Sequence, residues 1–194
     1  LKREGTEFLF CYPRTPIIEA CAKVGIKPIL CRQERVGISM ADGLSRASNG
    51  QKIGVFAMQA GPGTENAFPG VAQAYADNVP VLFVPGGLSL NRQNVRPNFQ
   101  AVENFKHITK WVAQIDRTER IPEYVSHAFH TAMAGRPGPV LLALPEDMLF
   151  AEAAVADVPH YRTVRAAPAA SDMRELQKML QAAERPCVII GGGG

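Results

Sequence analysis

The sequence is poor in the features that mark specialised classes of protein. Four cysteines and one tryptophan occur in 194 residues, and aromatic residues make up 7%. Cys11, Cys21, Cys31 and Cys187 show no metal-ligand spacing, and no metal site is expected. Three of them lie within apolar segments, where a reduced, buried thiol is the ordinary state. No block of like charge occurs: 21 Lys and Arg face 18 Asp and Glu, for a net charge of +3, and the basic residues are scattered. That excludes the basic patch that grips a phosphate backbone, so no nucleic-acid partner is expected. No apolar run reaches the roughly 18 residues of a membrane span. No secretory signal precedes the first strand. We therefore expect a cytoplasmic protein with no membrane partner.

What is present is the balance of a globular chain, with 46% hydrophobic and 20% charged residues. The length suits one domain of ordinary size plus an extension. Strand and helix patterns alternate. Residues 8–12, 28–31, 53–58, 79–84 and 140–144 read as strands, the third apolar throughout, as a strand covered on both faces must be. Thr15 and Pro16 open a helix with a hydroxyl N-cap and a proline at its first position. Ile17, Ile18, Cys21 and Val24 form its apolar stripe, and Gly25 ends it. Residues 35–48 form a second helix, with Val36, Met40, Leu44 and Ala47 on one face. Residues 64–76 form a third, with Phe68, Val71, Ala72 and Tyr75 toward the core. The connection over 85–110 is long and rich in Asn, Gln, Arg and Gly, and reads as functional or disordered. Pro122 begins a helix carrying Val125, Ala128, Phe129 and Ala132. Repeated β-α-β units with apolar strands predict an α/β fold, a doubly wound parallel sheet with helices on both faces.

Residues 1–150 form this domain. Residues 151–170, rich in Ala, Val and Pro, read as a linker. Ser171 then caps a helix with Leu176, Met179, Leu180 and Ala183, and residues 186–190 read as a strand running into four glycines. A strand ending in glycines is how a Rossmann-like domain starts. We expect a truncated second domain over 171–194, and hence a piece of a longer protein.

Two strand-to-helix junctions carry the chemistry. Glu34 follows the second strand and opens a small-residue helix. The helix N-terminus favours its carboxylate, and burial favours the neutral acid. Glu34 is thus a proton-transfer candidate or a residue that complements the helix dipole. Gly61-Pro62-Gly63 permits close approach of backbone to a ligand, and Thr64 can cap the following helix. The pattern lacks the Gly-Lys-Ser/Thr of a P-loop. Asn66 can face either the crevice or the next helix. His107, His127, His130 and His160 form no ligand set, although His127 and His130 stand three apart on one helix. Ser39 and Ser45 read as packing residues rather than nucleophiles.

These residues resemble a known family. Tyr12-Pro13, Arg32-Gln33-Glu34, Gly61-Pro62-Gly63 with Asn66, Ala76-Asp77-Asn78-Val79-Pro80, Phe99-Gln100 and Gly135-Arg136-Pro137-Gly138-Pro139-Val140 stand in the order of a recognisable pattern. It is similar to the N-terminal, pyrimidine-binding domain of thiamine-diphosphate-dependent enzymes, in the acetolactate synthase branch. The resemblance implies that Glu34 hydrogen-bonds N1′ of the aminopyrimidine and is the catalytic residue. Pro13, Gly61, Pro62 and Asn66 would line the pyrimidine side of the cleft. Gln59, Phe99 and Gln100 would meet the substrate, a 2-oxo acid that is decarboxylated and then protonated or ligated to an acceptor. The coenzyme is the electron sink. Gln59 departs from the hydroxyl residue usual in acetolactate synthases, which leaves the particular oxo acid open.

The family's diphosphate and Mg2+ are held by another domain through a Gly-Asp-Gly motif, which does not occur here. The resemblance therefore implies a homo-oligomer, completed by the diphosphate domain of a second chain, and an isolated chain without activity. It leaves open FAD elsewhere in the longer protein. Alternatives are a free-standing pyrimidine-domain subunit of a two-subunit decarboxylase and a non-catalytic module that keeps the fold. A dinucleotide-binding domain is disfavoured, because Gly-x-Gly-x-x-Gly is missing after the first strand.

Overall fold

The computed structural model describes residues 1–13, 15–156, 158–159 and 166–191; the side chain of residue 15 is also outside the description. The chain divides into two compact units, Leu1–Thr163 and Val164–Gly194.

The first unit is built on six strands: β1 (Phe8–Cys11), β2 (Lys27–Leu30), β3 (Gly54–Met58), β4 (Val81–Gly87), β5 (Trp111–Gln114) and β6 (Val140–Pro145). They pair in the order β2-β1-β3-β4-β6-β5, and every pairing is parallel. This is the expected doubly wound fold with one strand more. Strand β5 lies at the sheet edge inside the stretch next to the expected long loop. The chain steps from β1 outward to β2 and then back across β1 to β3. The two halves of the winding therefore part beside β1, and in such sheets ligands bind beyond the carboxyl ends of the strands at that point.

Successive strand residues point to opposite faces and feed two cores. Leu9, Cys11, Val55, Ala57, Leu82 and Val84 lie in one; Phe10, Phe56, Met58, Val81 and Phe83 lie in the other. The first core packs on α1 (Thr15–Lys23) and α6 (Ile121–Met133), the second on α2 (Glu34–Ala47) and α4 (Phe68–Ala76).

The buried face of α2 differs from the expected one. Val36 is 47% exposed, whereas Gly37, Ile38, Ala41 and Ser45 are buried. The helix comes closest to the sheet at Gly37 and Ala41. A Cβ on Gly37 would stand 2.2 Å from Phe56, and one on Gly54 would stand 2.0 Å from the Ala41 carbonyl oxygen. Ser45 fastens the far end of the helix: its hydroxyl donates to Pro80 O at 2.7 Å and accepts from Gly54 N at 2.8 Å.

The helix expected over 64–76 is two helices, α3 (Pro62–Asn66) and α4. Pro69 has no N–H to give and its ring crowds the carbonyl four residues back, so the first helix stops at Asn66. Thr64 lies inside α3 rather than capping it, and its hydroxyl donates to Gln59 O at 3.0 Å. Val71 is buried as expected, together with Ala67, Gly70 and Ala74, whereas Phe68 and Tyr75 are exposed by 38% and 42%. In α1, Cys21 is buried as expected, but Val24 is exposed. The connection after β4 contains a short 3-10 helix, Leu90–Arg92, and α5 (Ala101–Phe105). Helix α7 (Glu146–Phe150) follows β6.

The second unit contains α8 (Ala170–Ala182). Ser171 sits within its first turn and Ala169 takes the cap position. Residues 186–190 form no strand: a strand exists through ladder partners, and Val188, Ile189 and Ile190 pair with none among the described residues. The last three glycines lie outside the described residues.

Candidate active site

Glu34 occupies the first position of α2, just beyond the carboxyl end of β2. It is 7% exposed, the most buried carboxylate among the described residues. Gln59 follows β3, and Asn66 ends α3. The fold brings all three together. Gln59 Nε2 donates to Glu34 Oε1 at 2.8 Å, and Asn66 Nδ2 donates to Glu34 Oε2 at 2.7 Å. Each carboxylate oxygen thus accepts from one neutral amide. The first-turn N–H groups of α2 add a favourable dipole, and Gln33 makes no side-chain cap bond there. A carboxylate offers about four lone-pair sites, so two remain for a ligand N–H.

The turn between Gln59 and α3 is equally specific. Gly61 has φ +66° and ψ −123°, a conformation that L side chains rarely adopt. Pro62 follows at the first helical position, where its missing N–H costs nothing. A Cβ on Gly63 would come within 2.6 Å of the Gln59 side chain, so the glycine makes room for that amide. Gln59 Oε1 is buried and accepts no hydrogen bond.

Phe99 and Gln100 do not touch this cluster through any described hydrogen bond. They line a cavity of about 210 Å³ beyond the carboxyl ends of β4, β5 and β6. The Gln59–α3 turn supplies Ala60, Gly61 and Thr64 to the same cavity, so one turn borders both places. Every lining residue is uncharged. One of them, Gln93, has a buried Nε2 without a partner; no motif in the sequence points to it. Pro13 is exposed in the turn after β1, and Pro62 is exposed on α3. A larger cavity of about 340 Å³ lies between Glu4–Phe8, Gln51–Ile53 and α6, at the amino ends of β1 and β3. That is the wrong edge of a parallel sheet for a ligand of this kind, and Lys52 and Glu7 bridge there at 2.9 Å.

The remaining candidates are structural. His127 lies on the exposed side of α6, edge-on to Trp111 at 4.7 Å between ring centroids, and His130 is half-buried one turn along. Ser39 donates to Arg35 O within its own helix. Cys11, Cys21, Cys31 and Cys187 are free. Burial pushes the thiols of Cys11, Cys21 and Cys31 up, that of Cys11 to about 11. No group of three or more His, Cys, Asp or Glu side chains gathers among the described residues, and no described helix is long and apolar enough to cross a membrane.

A pyrimidine fits what this end of the sheet offers. Glu34 can accept from a ring N–H as a carboxylate or donate to a ring nitrogen as the neutral acid, and Gly61 lets backbone approach a flat group closely. Known proteins resemble the chain over its whole length. The acetolactate synthase large subunit of Lactococcus lactis is 35% identical over 205 residues, covering 100% of this chain and 35% of that protein. The Escherichia coli acetolactate synthase isozyme 3 large subunit is 30% identical, covering 98% of this chain and 35% of that protein. The chain thus spans about a third of the length of these relatives. Benzoylformate decarboxylase from Polynucleobacter necessarius superposes with a TM-score of 0.80 at 24% identity, over 96% of this chain and 36% of that one. Residues 1–115 match the family described as thiamine pyrophosphate enzyme, N-terminal TPP binding domain, and the chain belongs to that family.

Proposed function

We propose that this chain is the pyrimidine-binding part of an enzyme that decarboxylates a 2-oxo acid and ligates the product, with acetolactate formation from pyruvate as the reaction. The observation that carries this reading is Glu34, a buried carboxylate held by Asn66 and Gln59 beside the parting of the sheet. Thiamine diphosphate supplies the electron sink for breaking and making the carbon–carbon bond next to the carbonyl. Glu34 holds or releases a proton at the pyrimidine nitrogen. Asn66 and Gln59 hold its two oxygens in place beside the pyrimidine. Pro13, Gly61 and Pro62 shape the pyrimidine side, and the uncharged cavity by Phe99 and Gln100 receives the oxo acid.

Residues 1–150 would be the pyrimidine domain, 151–170 a linker and 171–194 the opening of a central domain. Mg2+ and the diphosphate would be held by another domain, contributed by a second copy in a cytoplasmic homo-oligomer. The supporting facts are the acetolactate synthase relatives and the Phe99-Gln100 pair in the cavity. The test uses the full-length protein with thiamine diphosphate, Mg2+ and pyruvate, with products followed by proton NMR. Acetolactate is expected, and its loss in Glu34→Gln. Unconsumed pyruvate would overturn the substrate, and acetolactate from Glu34→Gln would overturn the role of the glutamate.

A further inference from the structure

The amide of Gln59 is half satisfied. Its Nε2 donates to Glu34 Oε1, while its Oε1 is buried without a partner. A buried acceptor without a partner is unfavourable. Thr64 Oγ1 donates to the backbone carbonyl of Gln59, which fixes the main chain there, and Gly63 leaves space beside the side-chain amide. An amide is nearly the same shape after a half-turn about its Cγ–Cδ bond, and that turn exchanges donor for acceptor.

We propose that Gln59 is a positioning residue whose amide turns over with the protonation of Glu34. With Glu34 ionised, Nε2 donates to Oε1 of the carboxylate. When Glu34 takes up a proton on Oε1, that O–H needs an acceptor, and the turned amide presents Gln59 Oε1 to it. No bond other than that of the transferred proton forms or breaks. Asn66 donates to the other oxygen in both states. The glutamate therefore stays in one place while its charge changes.

Few other ionisable groups face Glu34. Strands β3 and β4 contain none, β1 contributes only Cys11, α3 only the exposed Glu65 and α4 only the exposed Tyr75. Cys31, in the segment entering α2, feels the charge of Glu34, and the neighbouring Arg32 and Arg35 are exposed.

The test is NMR of the full-length protein carrying 15N,13C-labelled glutamine and glutamate, following the Gln59 side-chain amide and the Glu34 carboxyl carbon. Glu34→Gln serves as a permanent mimic of the neutral acid, since its new N–H must also find an acceptor. The expected result is a Gln59 Nε2 resonance displaced in Glu34→Gln from its wild-type position at pH 8. A through-bond coupling should appear from the new amide N–H to the Gln59 carbonyl carbon. In the wild type, acidification should move the Gln59 amide and the Glu34 carboxyl together, with one shared inflection. A Gln59 amide that keeps its wild-type resonance in Glu34→Gln, with no such coupling, would overturn the proposal. A residue that merely packs would show neither the coupling nor the shared inflection.

Discussion

Replacing Ser45 with alanine should loosen the far end of the helix that carries Glu34. Ser45 is 1% exposed, and its hydroxyl serves two backbone groups at once, Pro80 O and Gly54 N. Alanine fits the same space, so packing is unchanged and only the two hydrogen bonds go. Each buried group left unpaired costs about 1–3 kcal/mol, the carbonyl less than the N–H. The sum is about 2–4 kcal/mol. For a chain of this length that lowers the thermal midpoint by roughly 4–16 °C. Urea denaturation read by circular dichroism measures it, with an unchanged m-value showing that only the native state was altered. Ser39→Ala is the internal control: its exposed hydroxyl bonds only within the helix, and the change should stay within about 0.5 kcal/mol. A Ser45→Ala cost no larger than that of Ser39→Ala would refute the view that this hydroxyl ties α2 to the sheet.

Further outcomes follow from the same packing and burial. Gly54→Ala drives a Cβ to 2.0 Å from the Ala41 carbonyl oxygen, a backbone atom that cannot swing away, so a loss of about 3 kcal/mol or more is expected in the same urea assay. In the native chain Cys187 should react first with a thiol reagent and Cys11 and Cys21 last, as quantified by mass spectrometry after brief alkylation. Cys11 also sets an alkaline limit. The folded state keeps a proton up to about pH 11 that the unfolded chain loses near 9.0, so stability should fall between those values. Urea melts at pH 8 and pH 10.5 check this, and a Cys11→Val variant should show a shallower decline.

The long apolar strands were legible because strands covered on both faces read as continuous hydrophobic runs; the five expected over residues 1–150 lie in the sheet, and the one expected over 186–190 forms no strand. The sixth, β5, was missed because its residues Trp111–Gln114 are only partly buried and form too short an apolar run to stand out. Helix faces were only partly legible in α2 and α4. Met40, Leu44 and Val71 pack on the core as expected, whereas Val36, Phe68 and Tyr75 stand at the margin and Gly37, Ile38, Ala41, Gly70 and Ala74 are buried. The direction of Asn66 was open in the sequence, since it depends on the break before Pro69 that ends α3. Glu34 was visible from its junction. Its contact with Gln59 was not, because it depends on the winding that sets β2 and β3 on either side of β1.

The most direct measurement is the exchange of the thiazolium C2 proton of thiamine diphosphate for deuterium, followed by proton NMR on the full-length protein with Mg2+. A buried acid that governs proton traffic at the pyrimidine predicts rapid exchange in the wild type. It predicts a loss on the order of 10²–10⁴-fold in Glu34→Gln, with the coenzyme still bound. Exchange in Glu34→Gln as fast as in the wild type would contradict the account.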